Sequence, residues 1–131
     1  MKKRFLLQTL AIAALAASTS GVMAQEKFKI GLVLPMTGQQ ATTGRQIEAA
    51  ARLYMAQHGD TVAGKKIELI VKDDTSLPDQ TRRLAQELIV NDKVNVLAGM
   101  GITPSAMAVA PLATQSKTPL VVMAAATSSI T

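Results

Sequence analysis

Beyond residue 26, apolar positions alternate between two patterns: short unbroken runs, and stripes spaced three and four apart. The runs at 29–34, 67–71, 94–98 and 120–123 are rich in valine, isoleucine and leucine and end at proline, aspartate, glycine or small residues, so they predict four strands. Between them, Ile47, Ala50, Ala51, Tyr54 and Met55 fall at i, i+3, i+4, i+7 and i+8, one apolar stripe of a helix. Thr81, Leu84, Ala85, Leu88 and Ile89 repeat that spacing, and a third helix runs from Thr103 to about residue 115, with a kink expected at Pro111. Local signals place the helix starts. Thr43 and Gln46 are spaced as a capping box, and Ser76, Pro78 and Asp79 supply a cap, an N-terminal proline and an acid for the helix dipole. Thr103 is placed to cap the third helix, and the glycines at 59 and 64 bracket a connecting turn. Strands alternating with helices predict an α/β fold, a Rossmann-like parallel sheet with helices on both faces.

The first 24 residues follow a different logic. Lys2, Lys3 and Arg4 precede an apolar run at 5–17, and small residues lead to Ala24, the three-part pattern of a cleavable export signal with cleavage before Gln25. A membrane span needs about 20 mostly apolar residues, more than this run offers. Removing the segment also changes the electrostatics: of 14 basic residues 11 remain, against 9 acidic, a net charge of +2 rather than +5. With 2% aromatic residues and no basic cluster, nucleic acid is not an expected partner. The chain has no cysteine, so neither a disulfide framework nor a lipid-modified cysteine at the cleavage site is available.

Ligands of open α/β sheets bind beyond the carboxyl ends of the strands, which directs attention to residues 35–44, 73–78, 99–105 and 124–129. The first amides of the third helix, beside the Thr103 and Ser105 hydroxyls, offer an anion site. Ala125 and Ala126 let a ligand approach the backbone, and the Thr127 hydroxyl follows them. Ordinary capping and turn chemistry would account for either segment taken alone. Catalytic signatures are absent. Gly38 and Gly44 are one residue too far apart for a phosphate-binding P-loop, and Arg45-Gln46 replaces its Lys-Ser/Thr. His58 is the single histidine, at the polar end of the first helix, and with no cysteine a zinc site lacks its usual ligands. Asp73 and Asp74 are adjacent at a strand end and point to opposite sides, which suits turn or capping roles better than an acid pair. No metal and no cofactor is expected. A phosphoacceptor receiver would need an acid where Leu34-Pro35-Met36-Thr37 ends the first strand.

Several segments together carry a resemblance: Lys29-Ile30-Gly31-Leu32-Val33-Leu34-Pro35-Met36-Thr37-Gly38, then Gly64-Lys65-Lys66-Ile67-Glu68-Leu69 before Asp73-Asp74, Pro78, Gly99, and Thr118-Pro119-Leu120. In their order and spacing they resemble the leucine/isoleucine/valine-type periplasmic binding proteins of ABC transporters. That resemblance implies a two-lobed, non-enzymatic protein that closes on a small amino acid or related organic acid and delivers it to an inner-membrane permease, as a monomer when full length. Residues 25–131 would form part of its N-terminal lobe, with a type I periplasmic-binding-protein fold. It implies ligand contacts from Thr103, with Ser105 nearby, and from Ala125, Ala126 and Thr127, while Thr43 occupies the loop where some members place an aromatic residue. Rival readings are a sensory ligand-binding domain or transcription-regulator core of the same fold, and an exported α/β hydrolase. The regulator would need a DNA-binding helix pair where this chain has an export signal, and the hydrolase a nucleophile–base pair.

Overall fold

The computed structural model describes residues 26–130; the expected signal and its cleavage point at Ala24 lie outside them. Strand β1 (Lys27–Leu34) occupies the middle of a five-stranded sheet in the order β2-β3-β1-β4-β5, with β2 at Thr61–Val62, β3 at Lys65–Asp73, β4 at Val96–Gly99 and β5 at Leu120–Val122. β1 pairs in parallel with both β3 and β4, in register Leu32↔Val71 and Leu32↔Ala98, and β5 continues the parallel set beside β4. Helices α1 (Ala41–His58), α2 (Pro78–Glu87) and α3 (Thr103–Ser116) connect the strands.

Alternation along β1 divides the core in two, because successive side chains point to opposite faces. Val33 packs with Leu84, Ala85 and Leu88 of the α2 segment and with Ala106 and Val109 of α3. Leu32 and Leu34 pack on the other face, with Ala98, Leu69, Val71 and Ile47 of α1. Helices therefore cover both faces, as the strand pattern predicts, but unequally. α1 buries Gly44 alone; Tyr54, in the predicted apolar stripe, is 63% exposed, and an apolar groove of about 390 Å³ opens between α1 and the sheet, lined in part by Ile30, Leu32, Tyr54, Met55 and Leu69. Among the described residues no helix is long and apolar enough to cross a membrane.

Four local expectations are corrected. Residues 59–64 hold more than a turn: β2 pairs antiparallel with β3, and Ala63 and Gly64 form the turn with positive φ of 50° and 79°. The stripe continuing α2 passes into a π-helical turn, Leu88–Asp92, which keeps Leu88 fully buried and ends at Lys93 with φ 54°. The expected capping box does not form, because α1 begins at Ala41 and the Thr43 hydroxyl meets the Gln40 side chain at 3.3 Å. Nor does Ser76 cap α2: Leu77 stands at the cap position with no side-chain bond, while Pro78 and Asp79 take the predicted places in the first turn. Helix α3 runs through Pro111 to Ser116.

Candidate functional site

The chain leaves β1 toward β3 on one side, while β4 lies on the other. The strand order thus reverses between β1 and β4, and a crevice opens beyond their carboxyl ends, the usual ligand position in such sheets. Its floor depends on a glycine. Gly99 ends β4 with φ +116°, and a Cβ there would overlap the Val33 carbonyl oxygen, so only glycine lets β4 turn this close to β1. The segment after β5 is then laid across the mouth by backbone bonds, the Met123 amide donating to the Gly99 carbonyl at 2.8 Å and the Ala125 amide to the Met100 carbonyl at 3.1 Å.

Thr103 does not cap α3 as expected; Ile102 holds the cap position, without a side-chain bond. Its hydroxyl reaches instead across the mouth to Ala126, donating to the carbonyl at 3.2 Å and accepting from the amide at 3.3 Å. Two sequence-predicted segments, α3's first turn and 124–127, are thereby brought together. The first-turn amides of a helix have no intrahelical acceptor, and the positive end of the dipole faces the same space. Pro104 contributes no N–H and the Ala106 amide donates to the Ile102 carbonyl at 3.2 Å, which leaves the amides of Thr103 and Ser105 on this wall of the mouth. Ala125 is partly buried, Ala126 is exposed, and Thr127 accepts from the Ser129 amide at 3.3 Å, opening a short 3-10 turn. Thr43 is partly buried on the first turn of α1, across the crevice.

Ser105 goes elsewhere. It is fully buried, and its hydroxyl lies 2.7 Å from that of Thr81, which donates to the buried Asp74 carboxylate at 2.8 Å. A carboxylate can only accept, so Thr81 donates to Asp74 and Ser105 to Thr81. This dry chain ties β3's end to the first turn of α3 and keeps Ser105 away from the mouth with its hydroxyl engaged.

Asp73 faces the opposite way, as adjacent residues of a strand must. Its Oδ1 accepts from the amides of Met36 at 2.9 Å, Thr37 at 3.2 Å and Thr75 at 2.9 Å, and its Oδ2 from the Thr37 hydroxyl at 2.6 Å. Partial burial pushes this carboxyl up, but the bonds from the Thr37 hydroxyl and the Thr75, Thr37 and Met36 amides outweigh it and hold it below its ordinary value. Both acids therefore serve turns, as the spacing suggests, yet the reach of Asp73 to Thr37, 36 residues earlier, is invisible to a local reading. Among the described residues no group of three or more metal-ligating side chains comes together.

Comparison with known proteins places these features in context. A family model described as "Periplasmic binding protein" matches residues 27–131. The chain is similar to a Leu/Ile/Val-binding protein homolog 6 of Brucella abortus, 41% identical over 129 residues, covering 98% of this chain and 32% of that protein. Among solved structures it is similar to the solute-binding protein of an ABC transporter from Rhodopseudomonas palustris BisB5, in complex with 3,4-dihydroxybenzoic acid. That match is 69% identical with a TM-score of 0.78, over 79% of this chain and 29% of that one. A second R. palustris solute-binding protein, in complex with 4-hydroxybenzoate, is 42% identical with a TM-score of 0.76, over 80% of this chain and 29% of that one. The chain thus spans about a third of the length of the relatives it matches.

Proposed function

Since this chain belongs to the periplasmic binding protein family, we propose that the full-length protein is the solute-binding component of an ABC importer and that its ligand is a small aromatic hydroxy acid. The observation that carries the ligand class is the 69% identical relative with bound 3,4-dihydroxybenzoic acid, and the wall at the start of α3, with the first-turn amides of Thr103 and Ser105 beside the Thr103–Ala126 contact, is compatible with it. Such a wall receives a carboxylate. Both acids of the mouth are already engaged, Asp73 by four donors and Asp74 by Ser76 and Thr81, so neither is spare for an ammonium group. In this reading Thr103, Ala125, Ala126, Thr127 and Thr43 line lobe one of the site, Ser105 acts only through Thr81, and the permease takes the loaded protein. No catalytic step is part of it.

The second reading, a branched-chain amino acid ligand, is favoured by the 41% identity to the Leu/Ile/Val-type homolog. Calorimetric titration of the full-length protein with 3,4-dihydroxybenzoate, 4-hydroxybenzoate and leucine separates the two. Saturable binding of a hydroxybenzoate without leucine binding is expected, and the reverse pattern sinks the aromatic assignment. We further propose export through the signal at residues 1–24 with cleavage before Gln25. Mass spectrometry of the exported protein tests it, and a product retaining residues 5–17 would refute the cleavage.

A further inference from the structure

One rim of the mouth is weakly anchored by the rest of the fold. α1 buries only Gly44 of its 18 residues, with Leu53 58% and Tyr54 63% exposed, and its start at Gln40 has no side-chain cap. The helix is therefore located from its N-terminal end, through the 35–40 loop that leads from β1. One carboxylate makes most of the side-chain bonds that hold that loop, beside a second bond of the Met36 amide to the Leu34 carbonyl at 3.0 Å. Asp73 takes the two consecutive amides of Met36 and Thr37 and the Thr37 hydroxyl, and the same Oδ1 takes the Thr75 amide, so the 35–40 and 74–77 turns share a single acceptor group. The 2.6 Å Thr37–Asp73 bond falls in the short range of a charge-assisted O–H···O⁻ bond. Two further bonds, the Gln40 amide to the Ser76 hydroxyl at 3.3 Å and Arg45 Nε to the Met36 carbonyl at 3.1 Å, are made at exposed positions.

We infer that Asp73 is a positioning residue for ligand capture: acting through Thr37, it presets the 35–40 rim and the first turn of α1, without touching the ligand. The inference rests on the ligand-binding reading given above. Its physical basis is preorganisation. A loop held in place before the ligand arrives does not have to be ordered during binding, so the ordering cost is removed from the binding step. Releasing Met36 and Thr37 returns that cost to binding, while the α2–α3 core, which Asp73 does not enter, remains packed.

The test uses the full-length protein and 3,4-dihydroxybenzoate, well below the melting temperature. Asp73→Ala is expected to weaken calorimetric affinity about tenfold, the equivalent of about one lost charge-assisted hydrogen bond. Asp73→Asn should recover part of the loss, because its amide oxygen can still accept from Met36 and Thr37. Thr37→Val should weaken binding too, and less than additively when combined with Asp73→Ala, since the two substitutions break one shared interaction. In the unliganded protein, amide hydrogen exchange at Thr37 should accelerate in Asp73→Ala, and less so at Met36, whose amide keeps the Leu34 carbonyl. A lowered melting temperature with unchanged affinity would overturn the inference and leave Asp73 as a turn residue of the fold. If the wild type takes leucine and no hydroxybenzoate, the aromatic assignment fails and the same variants are read with leucine. If it takes neither, the ligand-binding reading fails and the inference falls with it, and unchanged exchange at Thr37 overturns the presetting of the loop independently.

Discussion

At the scale of single residues, the mouth is built from hydroxyls whose partners lie far away in sequence. Thr103 illustrates the point, since the expected cap is instead a bridge to Ala126, 23 residues on. Thr103→Val removes the hydroxyl at nearly constant volume. Losing the bridge to Ala126 loosens the 124–127 wall, and is expected to weaken ligand binding by about 0.5–1.5 kcal/mol, up to roughly one decade in affinity. Titration calorimetry checks this, and unchanged affinity would show that the ligand sits elsewhere. Asp73 carries a second prediction, about pH. Its folded-state carboxyl titrates below the ordinary value of 3.8, so the unfolded chain binds its proton first as pH falls. The stability it contributes is present above the unfolded value and is lost as pH falls through the folded one. Urea midpoints of wild type and Asp73→Asn should therefore differ at neutral pH, begin to converge near the unfolded value of about 3.9, and meet only below the folded-state value. A gap that persists in acid would assign the effect to something other than this charge.

Elements obey the sequence more closely than residues do, and they depart from it where another element intrudes. All four predicted strands and three helices form, because runs of β-branched residues and stripes at helical spacing repeat on every turn, although α1 buries little of its stripe. The edge pair β2 was hidden because Thr61-Val62 is two residues long and exposed, with no hydrophobic period to reveal it. The seat of α1 yields the prediction at this scale. Gly44 lies against the backbone of Pro35, and an added Cβ would overlap the Pro35 carbonyl. Ala is ordinarily the better helix former, so Gly44→Ala should stabilise an isolated helix. In the protein the overlap should win, destabilising by about 1–3 kcal/mol as overpacking does. Denaturant unfolding measures the sign, and a gain in stability would mean that α1 is not seated on Pro35.

For the molecule as a whole, the proposed two-lobed arrangement poses the question of how much of a binding site this chain can form, since it spans about a third of the length of the relatives it matches. Residues 25–131 alone are expected to bind the ligand of the full-length protein very poorly, because a site closed between two lobes buries most of its ligand only when both are present. Stability should be low as well. β5 forms one side of the sheet, Val121 is 52% and Met123 47% exposed, and an apolar strand edge invites self-association. Calorimetry and sedimentation of purified 25–131 would check both expectations. A monomer that melts cooperatively and binds at full strength would contradict the two-lobed arrangement.

The sequence by itself determined the α/β alternation, the apolar faces of the strands, the family, and the four loops that could hold a ligand. The alternation and the apolar faces repeat along the chain, so hydrophobic periodicity records them directly, while the family came from the resemblance of several segments in their order and spacing. Only the tertiary structure decided which hydroxyl meets which partner. Thr37 bonds Asp73 across 36 residues; Ser76 bonds Gln40 across 36 and Ser105 bonds Thr81 across 24, these two in place of a local cap and of a ligand role. Strand order brings those groups to one crevice or one core, and a polar side chain satisfies the strongest acceptor or donor that the packed chain places within reach.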